Sequence, residues 1–315
     1  MSERKVILGC CAIGAATVAA TLAFIPRNSV SSAHAPVMAT EDYGRRLVSE
    51  TADLLGPHTA NARMRYSGSG LTCGSCHLGA GLEPGTLSLL PATQHYPRRS
   101  PRTGGKTDIE DRVNECMQRS MNGRALPADS PEMTAMASYI RALGARNAAM
   151  GASLLKRPEP PAFRTPNRAA DLKAGKQLFD DRCARCHGSD GAGLPAAANP
   201  VHGYVFPPLW GPDSFNDGAG MHRVLTAARF IKARMPLGKP DLSDEESFDV
   251  AGYINSQPRP HMANLERDYP DRGTKPVDTG YGPYADPFPQ EQHQFGPFQP
   301  IEAYYKKLHQ KGQSK

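Results

Sequence analysis

Four of the seven cysteines stand in two copies of one pattern, Cys-x-x-Cys-His: Cys73, Cys76 and His77, then Cys183, Cys186 and His187. Two thiols at this spacing can add to the two vinyl groups of one haem while the adjacent imidazole reaches the iron, which makes the pattern the attachment signature of c-type haem. A structural zinc site wants four protein ligands, and neither motif is followed by a second Cys/His pair at finger spacing. No strand pattern precedes either motif, as a thioredoxin-like redox pair would require. The chain therefore reads as carrying two covalently bound haem c groups, with His77 and His187 as proximal iron ligands. That leaves a dihaem electron carrier or a dihaem redox enzyme.

A third feature bears on that choice. Cys116 belongs to neither motif, and a spare cysteine in an exported protein is either an inert buried thiol or a chemical device. Thr107 and Glu110 suggest a capping box for a helix running to Gly123. On that helix Arg112, Cys116 and Ser120 share one face, with Arg119 beside them. An adjacent guanidinium lowers a thiol's pKa and favours the thiolate, which is both ligand and nucleophile. Cys116 lies 39 residues after His77, a workable spacing for the sixth ligand of haem 1, in competition with Met117, Met121, Met133, Met136 and His95. For haem 2 the expected distal ligand is Met235, which precedes Pro236 and lies 48 residues after His187; Met221, His202, His222 and Met262 are weaker candidates. A thiolate keeps haem 1 low in potential and a thioether raises haem 2, so electrons should run from haem 1 to haem 2. Arg98, Arg99, Arg102 and Lys106 lie between the first motif and Cys116. With Arg112 they suggest a positive funnel for a small dianion, since arginine recognises oxyanions through paired donors.

The elements that must position these groups form a duplicated series. Each half has an amphipathic segment, the haem motif and a closing helix containing Tyr-Ile. The first segments are marked by Leu47, Val48, Thr51, Leu54 and Leu55 in one half and by Leu172, Gly175, Leu178 and Phe179 in the other. The closing helices contain Tyr139-Ile140 and Tyr253-Ile254, with start signals at Ser130-Pro131 and at Ser243 with Glu246. Thirty glycines and twenty-nine prolines in 315 residues predict short helices joined by long ordered loops. The fold expected is mainly α: two cytochrome c-like helical domains, at 36–156 and 169–258. A proline-rich linker at 157–168 joins them, and an extended aromatic-rich C-terminal strap covers 259–315.

The N-terminus reads as an export signal at 1–35: Arg4 and Lys5, an apolar run from Val6 to Ile25, and a small-x-small cleavage site at Ala33-His34-Ala35. The apolar run is also long enough for an uncleaved anchor. Cys10 and Cys11 follow too few apolar residues to be a lipoprotein signal. The predicted location is the periplasm. The formal charge of +6 falls to +4 without residues 1–35, and haem propionates bring the holoprotein near neutrality, so global charge points to no particular partner and gives no sign of nucleic acid.

Several segments together resemble the dihaem thiosulfate dehydrogenases, the tetrathionate-forming cytochromes of bacterial periplasms. They are Tyr66-Ser67-Gly68 leading into Leu71–His77, the run from Asp111 to Gly123 around Cys116, Phe206–Gly211 with Trp210, Ser214–Met221, Met235–Gly238 and Pro270-Asp271-Arg272. The resemblance covers most of residues 40 to 300, and the Cys116 helix and the Trp210 segment are its most specific parts. It implies oxidation of two thiosulfates to tetrathionate at a Cys-ligated haem 1, with a His/Met haem 2 as electron exit and a small cytochrome c or membrane-bound protein as acceptor. Carried onto this sequence, the active-site residues are Cys116, Arg102 and Arg112. In some family members a lysine beside the methionine exchanges with it as ligand. Here that neighbour is Arg234, which stays protonated and is a poor iron ligand. Two other readings remain open at this point: a dihaem subunit of a periplasmic sulfur-oxidising complex, and a plain electron-transfer cytochrome without a substrate site.

Overall fold

A computed structural model describes residues 41–150, 162–197 and 202–313. The expected signal segment 1–35 and residues 157–161 of the expected linker lie outside the described residues. In chain order the helices are α1 (Glu41–Ser49), α2 (Thr51–Leu55), α3 (Ala92–His95), α4 (Ile109–Arg119), α5 (Pro131–Met150), α6 (Leu172–Arg182), α7 (Ala184–His187), α8 (Val224–Arg234), α9 (Asp244–Ser256), α10 (Gln290–Phe295) and α11 (Gln299–Gln313). Among the described residues, short 3-10 turns and two small antiparallel strand pairs complete the regular structure. Arg98–Arg99 pairs with Lys106–Thr107, and Leu194–Pro195 with Tyr204–Phe206.

The duplication read from the sequence appears as two equivalent helix crossings, α1 on α5 and α6 on α9. Each is pinned by a glycine. A Cβ on Gly44 would lie 2.0 Å from the Ala135 carbonyl oxygen, and one on Gly175 would lie 2.1 Å from that of Asp249. In both halves the next turn of the closing helix supplies the expected tyrosine, Tyr139 or Tyr253, against the same glycine. Only a residue without a side chain lets the backbones approach this closely. Around the first crossing Leu47, Val48, Leu55, Met117, Met133, Tyr139 and Leu143 form one core. Around the second, Phe179, Trp210, Ala228, Phe248, Val250 and Ile301 form another.

Capping explains where the key helices begin. Ser243 and Glu246 form the expected reciprocal box at α9, and Ser130 Oγ accepts from Met133 N at 3.1 Å at α5. The start of α4 differs from the sequence expectation. Its box is Asp108 with Asp111, the Asp108 side chain accepting from Asp111 N at 2.9 Å and Asp111 from Asp108 N at 3.1 Å. Thr107 is buried and paired with Arg98 in the hairpin, so Asp108 supplies the first oxygen able to turn onto the helix N-terminus.

The tail beyond residue 258 carries the expected aromatic strap and also α10 and α11, which the proline and glycine content had concealed. Phe298 and Ile301 are fully buried in the second core. Lys275, only 3% exposed, donates to the Pro283 carbonyl at 3.1 Å and lies 4.7 and 4.9 Å from the rings of Tyr281 and Tyr284. A buried ammonium is held there by ring quadrupoles and a carbonyl. No helix among the described residues is long and apolar enough to cross a membrane.

Candidate functional site

The two Cys-x-x-Cys-His loops are built alike. Thr51, at the start of α2, accepts from Cys73 N at 3.1 Å and donates to Cys73 Sγ at 3.4 Å, fixing the first loop on the first core. His77 Nδ1 donates to the Leu87 carbonyl at 2.6 Å, and His187 Nδ1 donates to the Pro207 carbonyl at 2.8 Å. A carbonyl can only accept, so each imidazole is held with its proton on Nδ1 and its Nε2 lone pair available, the arrangement of an iron-ligating histidine. All five described cysteines are free thiols. Burial pushes Cys73 up to about 11 and Cys76 to about 12. Gly191, at φ +64°, lets the loop after His187 cross the face of Trp210, whose ring would lie 2.2 Å from a Cβ there. Unpaired thiols beside a histidine of fixed tautomer, twice over, fit two c-type haems.

Cys116 lies on α4, facing the first loop. Burial pushes its thiol up, but Arg112 one turn away, and then His77, outweigh burial and bring it down to about 7. Of the alternative ligands for haem 1, Met117, Met121, Met133 and Met136 are buried in the first core, and His95 is exposed. Met235 follows the last turn of α8, half-buried against the second core. Among its competitors, His202 is exposed and paired with Asp53 at 2.6 Å. His222 is half-buried, held by the Asp217 carbonyl and pushed down to about 4 by desolvation and Arg259. Arg234, beside Met235, leaves the second core altogether: its guanidinium donates to the Pro84 carbonyl and lies 4.0 Å from Glu83.

The two predicted anion-binding arginines differ in setting. Arg112 is 43% exposed at its side chain and donates to Glu115 at 3.1 Å. Arg102 is buried, 14% exposed, and committed to Asp268 at 2.8 Å, with Tyr281 at 3.2 Å and the Gly218 carbonyl at 3.5 Å. Arg119 takes the same carboxylate in bidentate fashion at 2.8 and 2.9 Å. Tyr281 donates to it at 2.7 Å. Arg98, Arg99 and Lys106 remain on the exposed hairpin. The segment Ser214–Gly218 closes on the end of α4: Asn216 donates from its side chain to the Gln118 carbonyl at 2.8 Å and from its backbone to the Arg119 carbonyl at 3.1 Å. Sequence reasoning missed Asp268, Tyr281 and Glu115. Asp268 lies 149 and 166 residues from its two arginines, and no local pattern reports a pairing at that distance. Glu115 was open to view, adjacent to Cys116 and three residues from Arg112, the spacing of a helical ion pair.

Two helical domains, each closing on a Cys-x-x-Cys-His loop with a pre-oriented histidine, define a c-type cytochrome. Residues 64–148 match the family model described as SoxA/TsdA, cytochrome c domain, and residues 170–254 match cytochrome C oxidase, cbb3-type, subunit III. The chain is 40% identical over 222 residues to thiosulfate dehydrogenase of Allochromatium vinosum, covering 69% of this chain and 77% of that one. It is also 40% identical over 224 residues to the thiosulfate dehydrogenase of Psychrobacter arcticus, covering 70% and 66%. With that of Stutzerimonas stutzeri it shares 44% over 203 residues, covering 64% of each. Among solved structures it resembles thiosulfate dehydrogenase (TsdBA) from Marichromatium purpuratum, at a TM-score of 0.60 and 32% identity, over 71% of this chain and about half, 47%, of the other. The chain belongs to the thiosulfate dehydrogenase family of c-type cytochromes.

Proposed function

We propose that this protein is a periplasmic dihaem oxidoreductase that joins two thiosulfates into tetrathionate and passes the electrons from the first domain to the second and on to an external acceptor such as a small cytochrome c. The observation that carries the reading is the convergence of Cys116, His77 and Arg112: a thiol of lowered pKa, an imidazole held by the Leu87 carbonyl and a half-exposed guanidinium on one site. A plain electron shuttle needs neither the thiol nor the guanidinium.

In this reading Cys73 and Cys76 would hold one haem and Cys183 and Cys186 the other, with His77 and Cys116 as the protein ligands available to the first and His187 and Met235 to the second. When bound, the haems supply two one-electron acceptors, which the coupling of two thiosulfates requires. Arg112 receives the sulfonate of an incoming thiosulfate at the rim, and Arg102, anchored by Asp268, adds fixed positive charge behind it. Fixed guanidinium groups offset the repulsion that keeps two dianions apart and need no reorganisation as they meet. The thiolate sulfur of Cys116 forms an S–S bond to the sulfane sulfur of the first thiosulfate, with loss of two electrons. The second thiosulfate attacks that sulfane sulfur, the new S–S bond forms tetrathionate, and the Cys116 thiolate leaves intact. This is thiol–disulfide exchange with an inorganic partner.

The intact mass of the holoprotein should exceed that of the apoprotein by two haems; one haem or none rejects the assignment of the motifs. Met235→Gly should abolish the far-red charge-transfer band of a methionine–ferric haem, and its survival would place the ligand elsewhere. Arg112→Gln should lower thiosulfate turnover at least tenfold, about 1.4 kcal/mol of transition-state stabilisation, with both haems attached; near-normal turnover would make Arg112 a solvated surface residue. The decisive experiment is a steady-state assay of the holoprotein with free thiosulfate and ferricyanide, and with tetrathionate and a reductant. The family model for the first domain groups two kinds of cytochrome, so a sulfur-oxidising-complex subunit is the second reading. Turnover with free thiosulfate excludes it, and inactivity toward both free substrates would favour it.

A further inference from the structure

Glu115 stands out among the residues around Cys116 because its charge opposes the site's task. It is a carboxylate, 17% exposed, next in sequence to the nucleophilic thiol. Its Oε2 accepts from Arg112 Nη1 at 3.1 Å. A site meant to collect dianions thus contains an anion of its own, seated on the half-exposed guanidinium of Arg112.

We propose that Glu115 is the resident counter-ion of the anion site, occupying Arg112 when the site is empty and yielding it to the incoming dianion, so that it sets the affinity for substrate rather than the rate of the chemical step. The inference rests on the thiosulfate reading. Its physical basis is competition. An arginine offers paired donors that suit a sulfonate or a carboxylate alike, so the substrate must displace the carboxylate and tolerate its charge nearby. A helix i,i+3 pair with one partner half-exposed is weak enough to be exchanged. The same arrangement keeps Arg112 from being left as an unpaired cation between turnovers. Glu115 is therefore a specificity-determining residue that acts through Arg112.

The test is Glu115→Gln, which keeps the shape of the side chain and removes its charge. The side chain of Glu115 bonds to Arg112, on the same helix, so haem content should be unchanged. The expected result is a KM for thiosulfate at least threefold lower with kcat within twofold of wild type. Sulfate, an unreactive tetrahedral dianion, should bind at least threefold more tightly, read from the perturbation of the haem spectrum at low ionic strength. A structural role cannot tighten anion binding. An unchanged or raised KM, or sulfate affinity equal to or weaker than wild type, overturns the proposal. If the wild-type protein fails to oxidise thiosulfate, it is the reading of the reaction that fails, and the sulfate ratio still decides the role of Glu115.

Discussion

Cys116→Gly is expected to retain both covalent haems, lose the thiolate-ligated low-spin signal from the electron paramagnetic resonance spectrum and lose tetrathionate formation altogether. The loss should be complete because the proposed mechanism gives the same sulfur two roles, iron ligand and nucleophile, and glycine fills neither. The protein as a whole should survive the change. Cys116 is half-buried, and α4 is held by its Asp108–Asp111 cap and by Ile109, Val113 and Met117 in the core rather than by the thiol. Tetrathionate production near the wild-type rate in this variant would remove Cys116 from the chemistry. Arg112 and Glu115 would then have to be explained as an ordinary surface pair.

The second large effect is expected on stability. Asp268→Ala should lower the free energy of unfolding by about 3–5 kcal/mol, the usual cost of leaving buried charge without its partner. The side chains of Arg102, Arg119 and Asp268 are 14%, 11% and 10% exposed, so water cannot replace the lost carboxylate cheaply. Tyr281→Phe removes only one of the carboxylate's donors and should cost about 1 kcal/mol. Denaturant midpoints of the three holoproteins measure both. An Asp268→Ala loss below about 1 kcal/mol would mean that the two guanidinium groups find other acceptors. Thiosulfate turnover should fall with Asp268→Ala as well, since Arg102 loses its anchor.

Much of this architecture was legible in the residues themselves. The haem loops carry their chemistry in five consecutive positions, and the paired segments of the two halves repeat the same periodicity, so Leu47, Phe179, Tyr139 and Tyr253 are where pattern reading places them. Cys116 was conspicuous because arithmetic left it over. What stayed hidden were pairings between distant stretches. Arg102 read as one member of a basic run and was expected to face the substrate. Its guanidinium instead turns to a carboxylate 166 residues away, because a buried arginine needs a carboxylate more than it needs a solvent-exposed surface. The α4 cap moved by one residue because Thr107 belongs to a hairpin too short to register in a sequence pattern. The helices of the tail were masked by the prolines around them, although Phe298 and Ile301 carry a helical spacing and both end fully buried.

The position of Asp268 bears on how this protein is made. A chain emerges from the N-terminus onward, so Cys73, Cys76 and His77 are available for haem attachment long before residue 268 exists. Until the last part of the chain has been synthesised, Arg102 and Arg119 have no counter-charge, and the segment Ser214–Gly218 that closes α4 is also absent. The counter-charge of Arg102 and Arg119 is thus completed only once the chain has reached residue 268. A product shortened behind residue 258 would lack both the Asp268 carboxylate that Arg102 and Arg119 share and the Phe298 and Ile301 side chains that fill the second core.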